Sequence, residues 1–290
     1  MIQGALTAMV TPFRDGRVDY AQLSGNVAFQ IDQGIDGLVP VGTTGESPTL
    51  SHEEHRKVIE HVVEQAAGRT KVVAGTGSNS TAEALELTQH AKAVGADAAL
   101  MVNPYYNKPS QEGLYRHFMQ VADDVGLPIV LYNIPGRTNI TMSPATVARL
   151  ARHPMIAAIK EATGSLDIAS EIANLCGDDI TIVSGDDSLT LPLMSIGGKG
   201  VISVLSNIIP AKVKALSAAA LAGDFVAARK QHLELFPLFK GMFIETNPVP
   251  IKTAMAMMNA DTGELRLPLC ELAAENREAL ELLLKAHALI

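Results

Sequence analysis

The chain has 290 residues, 47% hydrophobic and 19% charged, which allows a large core and argues against disorder. A formal charge of −8 and a pI near 5.5 leave no basic face for nucleic-acid phosphates. No window approaches the roughly 20 apolar residues of a membrane span, and Met1-Ile2-Gln3-Gly4-Ala5-Leu6 lacks the basic and long apolar regions of a signal peptide.

Short apolar, β-branched runs recur in chain order at Ala5–Val10, Gly37–Val41, Lys71–Ala74, Asp97–Asn103, Pro128–Asn133, Ile156–Lys160, Ile180–Ser184 and Gly200–Leu205. Most are nearly continuous rather than alternating, the pattern of strands covered on both faces. Helical periodicity fills Glu53–Ala67, Thr81–Val94, Ser143–Ala151, Ser165–Leu175, Ser188–Met194 and Ala211–Leu221. Ser51 with Glu54, and Ser80 with Glu83, match capping boxes. Eight strands alternating with helices predict an α/β fold, the (β/α)8 TIM barrel. The rival doubly wound sheet lacks its GxGxxG after the first strand. About 85 residues follow the eighth strand. Ala227–Met242, Pro250–Met258 and Leu269–Ala288 read as helices there. The expected division is a barrel over 1–224 carrying the active site and a C-terminal helical extension over 225–290.

Barrel enzymes place their reactive groups at strand C-termini and in the loops that follow. The second strand leads into Gly42-Thr43-Thr44-Gly45-Glu46-Ser47, and the fourth ends in Asn103-Pro104-Tyr105-Tyr106. The fifth ends in Tyr132-Asn133-Ile134-Pro135-Gly136-Arg137-Thr138, the sixth in Lys160, and the seventh in Ser184-Gly185-Asp186-Asp187; the eighth carries Ile202. Lys160 by itself fits a strand-end lysine that snorkels to solvent. Its company at one rim favours a different use. A desolvated amine is held toward its neutral form and can condense with a carbonyl into a Schiff base.

The other strand ends have matching uses and plainer alternatives. The Gly42–Gly45 loop can hold a carboxylate on its N–H groups and the Thr43 and Thr44 hydroxyls, or be a tight turn with capping threonines. Tyr132 can relay a proton, or be a core tyrosine. Arg137 offers a planar fork for a carboxylate, or is a surface arginine after a Pro-Gly turn. Asp186 and Asp187 fit caps as well as acids. Lys199 in Gly197-Gly198-Lys199-Gly200 lacks Walker spacing. His52 and His55 stand three apart without an HExxH motif, so no metal is expected. Cys176 and Cys270 form no CxxC, which predicts free thiols and a cytoplasmic setting.

These motifs together resemble the dihydrodipicolinate synthase family of bacterial lysine biosynthesis, within the pyruvate-dependent class I aldolase and N-acetylneuraminate lyase superfamily. The resemblance runs end to end. It is carried by Gly42-Thr43-Thr44-Gly45-Glu46, Pro104-Tyr105-Tyr106-Asn107, Tyr132–Thr138, Ile159-Lys160-Glu161-Ala162 and Ser184-Gly185-Asp186-Asp187. Gly136-Arg137-Thr138 separates it from the lyase. The resemblance implies condensation of pyruvate with L-aspartate 4-semialdehyde through an imine on Lys160, with no metal or organic cofactor. It implies Tyr132, Thr43 and Tyr106 as a proton relay, with Tyr106 reaching across a dimer interface. Thr44, Ile202 and the Gly185 carbonyl would contact pyruvate or line its pocket, and Arg137 would hold the semialdehyde carboxylate.

The resemblance further implies a homo-oligomer, at least a dimer and expected as a tetramer, and an L-lysine inhibitor site at Ser47, His52, His55, Asn79, Glu83 and Tyr105. Pro48 departs from the alanine of relatives and removes a backbone N–H from that turn. The competing readings are a pyruvate lyase acting on sugar acids and a catalytically silent ligand-binding barrel.

Overall fold

Runs of valine, isoleucine, leucine and alanine with few polar interruptions can be strands only where both faces are covered, and a barrel ringed by helices covers both. A computed structural model describes residues 2–290, and it contains that closed barrel. Its parallel strands are Gly4–Ala8, Gly37–Val39, Lys71–Gly75, Ala98–Val102, Ile129–Asn133, Ile156–Glu161, Thr181–Ser184 and Gly200–Ser203. Each pairs with its sequence neighbours, and the first pairs with the eighth to close the ring. Every predicted run overlaps one of these strands, though the first strand starts one residue earlier and the third and sixth end one residue later than predicted. No described helix is long and apolar enough to cross a membrane.

Two apolar clusters follow from the alternation of strand side chains. Leu6, Leu100, Val130, Tyr132, Ala158, Val183 and Ile202 fill the barrel interior. Ala5, Leu38, Met101, Leu131, Ile159 and Val201 point the other way, into the larger layer beneath the helices. Lys160 is two residues after Ala158 and shares its interior face.

Helices stand at Tyr20–Asp32, His52–Ala66, Thr81–Ala93, Gln111–Val125, Pro144–Ala151, Leu166–Cys176, Thr190–Ser195 and Pro210–Leu221. The first and fourth of these occupy stretches where no helix is predicted from the sequence. Tyr20–Asp32 turns Asn26 and Gln30 inward beside Leu23 and Val27, so its buried face carries no clean apolar stripe. Gln111–Val125 buries Leu114, Phe118, Val121 and Val125 behind a Ser110 cap, a regular helical signal. At Ser51 the capping box is present: its hydroxyl accepts from the Glu54 N–H at 3.1 Å, and Glu54 accepts from the Ser51 N–H at 2.9 Å. At Ser80 it is absent. The Ser80 side chain makes no cap bond, because Glu83 is drawn to Ser78 and His52 instead.

Beyond the barrel helices come Phe225–Gly241, Val249–Met257 and Ala274–Ala286, the last beginning later than the predicted Leu269. Lys252 lies in the second of them and is wholly buried.

Candidate active site

The register of the fifth and sixth strands sets the central pair. Tyr132 lies opposite Lys160, and Lys160 opposite Val183. The Lys160 Nζ sits 4.1 Å from the centre of the Tyr132 ring, with the lysine 6% and the tyrosine 5% exposed. A lysine that snorkels would reach water; this one ends inside the barrel mouth. Gly185 leaves room for it, since a Cβ there would stand 3.1 Å from Lys160 Cε and 2.6 Å from Ala162 Cβ. The sixth strand continues one residue past the lysine to Glu161, whose carboxylate accepts from Thr163 N–H at 2.7 Å and from Asn133 Nδ2 at 3.2 Å. Burial pushes the Glu161 carboxyl above its ordinary value. Burial also pushes Asp186 up, against the opposing pull of the Lys160 and Lys240 charges. Asp187 is structural: its Oδ2 accepts from the N–H groups of Val204 and Leu205, each at 3.0 Å.

The loop after the second strand is built from strained backbone. Val41 has φ +51° and Glu46 φ +54°, a region that side chains other than glycine rarely adopt. Gly45 lies so close to Val41 that a Cβ would meet its backbone at 3.0 Å. Between them Thr43 faces the cavity, while the buried Thr44 hydroxyl accepts from Asn247 Nδ2 at 3.0 Å. Asn247 does a second thing: its carbonyl accepts from the Arg137 guanidinium at 2.9 Å. One residue near the C-terminus thus holds both the Thr44 hydroxyl and the arginine fork. The Thr44 oxygen accepts a hydrogen bond from the Asn247 amide, which leaves its own O–H free to donate.

A cavity of about 380 Å³ opens beside these groups. Its lining includes Thr43, Tyr132, Arg137 and Thr138 at one side and Ser47, Pro48, His52, His55, Glu83 and Tyr105 at the other. Lys160, Thr44, Gly185 and Ile202 do not line it; Tyr132 is the residue common to the cavity and the amine. Ile202 is fully buried in the interior cluster with Tyr132. Asn79 also lies outside the lining, and its carbonyl accepts from Asn107 Nδ2 at 2.8 Å. Tyr106 projects outward with φ +71° and 89% exposure, so within one chain it does not join the other groups.

In the second half of the cavity, the Glu83 carboxylate meets His52 Nε2 at 2.9 Å and the Ser78 hydroxyl. Burial pushes the Tyr105 hydroxyl up. His55 is pulled down to about 4 by burial, with the nearby His52 adding to the effect, and its Nδ1 has no partner. His117 falls to about 4 by burial alone. An unfolded histidine titrates near 6.5. Between those values the unfolded chain takes up protons that the folded one refuses, so stability rises with pH there and is lost as pH falls. Each ring accounts for about 3 kcal/mol. Denaturant midpoints are therefore expected to drop steeply from pH 6.5 toward pH 4.5, and His117→Leu to flatten the slope; a flat profile would refute the assignment.

Asn247, Lys252 and Arg266 are parts of the site that reasoning from strand ends leaves out. Only Lys252 carries a signal, a charge within an apolar stretch: it stands in Val249-Pro250-Ile251-Lys252-Thr253-Ala254-Met255 with every neighbour buried.

A family model described as the dihydrodipicolinate synthetase family matches residues 1–287. The 4-hydroxy-tetrahydrodipicolinate synthase of Geotalea uraniireducens is 57% identical over the full length of both chains. The dihydrodipicolinate synthase of Aquifex aeolicus superposes with a TM-score of 0.98 at 53% identity, over 99% of each chain. The chloride-inhibited enzyme of Acinetobacter baumannii, complexed with pyruvate, gives 0.97 at 45% identity over all of both chains. The dihydrodipicolinate synthase of Cyanidioschyzon merolae, with lysine bound, gives 0.96 at 39% identity over 99% of each chain. With a family model spanning nearly every residue and full-length relatives above half identity, the chain belongs to the dihydrodipicolinate synthetase family.

Proposed function

We propose that the chain condenses pyruvate with L-aspartate 4-semialdehyde to give 4-hydroxy-tetrahydrodipicolinate, the committed step of lysine and diaminopimelate biosynthesis, as a lyase of the class I aldolase type. The observation that carries this reading is the buried Lys160 amine packed on Tyr132, beside a cavity that also receives Thr43 and Arg137. Full-length relatives that bear the name of this activity support it.

The chemistry follows from the groups present. The Lys160 amine adds to the keto carbon of pyruvate; the carbinolamine loses water and leaves an imine. The pyruvate carboxylate rests on the Thr43/Thr44 loop, with Ile202 and Gly185 against the methyl and stem side. The protonated imine nitrogen draws electrons from the methyl carbon, which gives up a proton to become the enamine. That carbon attacks the aldehyde of the semialdehyde, whose carboxylate pairs with Arg137. The new alkoxide takes a proton through Tyr132 and Thr43. The semialdehyde's own amine then adds to the imine carbon and displaces Lys160, closing the ring and freeing the enzyme. The imine itself is the electron sink, so no metal or organic cofactor enters. The strained, exposed Tyr106 fits a residue donated to a second copy's relay, in a dimer or in a tetramer made of two dimers. Its exposure and φ support that use. The reaction runs in the cytoplasm, where free thiols such as Cys176 and Cys270 persist.

A coupled assay tests the reading directly. Turnover is expected with pyruvate and L-aspartate 4-semialdehyde together; turnover only with sugar acids would assign the chain to lyase chemistry instead.

The far half of the cavity is the seat for L-lysine. Glu83 would pair with an ammonium, and Tyr105, Asn79 and Ser47 would supply hydrogen bonds, with His52 and His55 closing the site. Pro48 is the second residue of the short Ser47–Thr49 helix and has no N–H to give the ligand. Initial rates titrated with lysine should fall at millimolar concentrations. Pro48→Ala, which returns one donor worth about 1 kcal/mol, should strengthen inhibition several-fold. No effect at millimolar lysine would sink the regulatory site.

A further inference from the structure

The Gly42–Glu46 loop is anchored by a feature the reaction does not use. Lys252 Nζ lies 2.7 Å from Glu46 Oε1, and both side chains are completely buried. The same ammonium donates to the Thr11 carbonyl at 2.9 Å and sits 4.3 Å from the centre of the Phe13 ring. The second Glu46 oxygen accepts the Arg266 N–H at 3.2 Å. Thr11 closes the circuit: its hydroxyl donates to the Gly45 carbonyl at 2.7 Å. Through Glu46 and the Thr11 hydroxyl the cluster is thus tied to the loop that holds Thr43 and Thr44.

Stability does not explain such a pair. Two apolar side chains of similar volume in the same place are commonly as stable, because both charges lose their hydration. What the pair supplies is direction. Glu46 is held in a left-handed backbone conformation, and Val41, at the other end of the loop, is strained in the same way. Strained residues of this kind persist only where their surroundings fix them.

We propose that Lys252 and Glu46 are positioning residues for the known chemistry: their buried ion pair, reaching across from the C-terminal helices, locks the Gly42–Glu46 loop in the one conformation that seats the substrate's α-keto carboxylate. The inference rests on the reading of that loop as the pyruvate-carboxylate seat. Lys252 does not touch the reacting atoms. Its effect passes through the geometry of Thr43 and Thr44.

The test is the full-length double variant Glu46→Gln/Lys252→Met, which removes both charges and nearly conserves volume. The apparent KM for pyruvate is expected to rise at least about tenfold, since small displacements of a binding group carry penalties of that order. The KM for the semialdehyde, held by Arg137, should stay within about twofold of its value in the unaltered protein. Borohydride should still trap pyruvate on Lys160 at saturation. A folded double variant with an unchanged pyruvate KM would overturn the proposal, as would an equal rise in both KM values, the mark of general loosening. Amide exchange in the unaltered protein gives a second arm should the variant not fold. The Gly45 and Glu46 N–H groups, bonded to Gly42 and Thr43 carbonyls at 3.1 Å each, should exchange as slowly as those of the second strand; exchange at open-loop rates would overturn the lock. An unaltered protein that forms no Lys160 adduct at all would sink the carboxylate seat itself and the proposal with it, and is told apart from a failed lock by that control.

Discussion

Lys160→Ala is expected to abolish turnover, with a loss of at least about 10³–10⁴-fold, as for removal of a covalent nucleophile. Neither Lys252 nor Lys199 is placed to substitute for it: Lys252 is tied to Glu46 and Thr11, and Lys199 precedes the eighth strand, at the strand end opposite the one Lys160 occupies. The backbone ladder of the sixth strand does not use the side chain, so the far-ultraviolet spectrum should be unchanged. Tyr132→Phe is the informative companion. It keeps the ring beneath the amine and removes only the hydroxyl, so it should slow turnover by about 10²–10³-fold, the range of a positioned acid–base group, while imine formation survives in slower form. A Lys160→Ala protein with more than a hundredth of the normal rate would place the reactive amine elsewhere.

Lys252→Met alone should be among the most destabilising substitutions in the chain. It leaves the Glu46 carboxylate buried with a single backbone N–H as partner, and breaking a buried pair from one side costs about 3–5 kcal/mol. That is a large share of the roughly 5–15 kcal/mol that holds a domain together. The double variant that also neutralises Glu46 should recover most of the loss, because no uncompensated charge is left. Burial lowers the Lys252 pKa despite the opposing effect of Glu46, which shows how strongly desolvation acts at that spot. Urea midpoints of the single and double variants measure the difference. A single variant within about 1 kcal/mol of the unaltered protein would mean that the carboxylate finds another partner or a proton.

The barrel was legible because parallel strands covered on both faces must be apolar almost without interruption, and the eight runs show that pattern. The reactive rim was legible for a related reason. Polar residues that break an apolar run at its C-terminal end, as Lys160 and Asn133 do, are costly to bury without a use. Register was not legible. That Tyr132 stands beside Lys160 depends on a shift of pairing between Ile129 and Val130 that no local pattern encodes. The helix at Tyr20–Asp32 was hidden because its buried face includes Asn26 and Gln30, and the partners of Gln30 lie elsewhere in the fold: its side-chain oxygen accepts from Thr7 at 2.6 Å. Gln111–Val125 is a different case, since its apolar period is regular and its serine cap is visible in the sequence.

The Ser80–Glu83 box failed because a glutamate with two better partners, Ser78 and His52, does not turn back to cap its own helix. The support of the Thr43/Thr44 loop was the least visible part. Asn247, Lys252 and Arg266 meet it across some 200 residues of chain. In the sequence, Asn247-Pro248-Val249-Pro250 looks like a turn and nothing more. Only the isolation of Lys252 in an apolar helix hints that its partner lies elsewhere.

Sodium borohydride trapping in the presence of pyruvate, followed by peptide mass mapping, bears most directly on the role given to Lys160. The adduct mass should appear on the peptide containing Lys160, require pyruvate, and vanish in Lys160→Ala. An adduct on any other lysine, or none at saturating pyruvate, would contradict it.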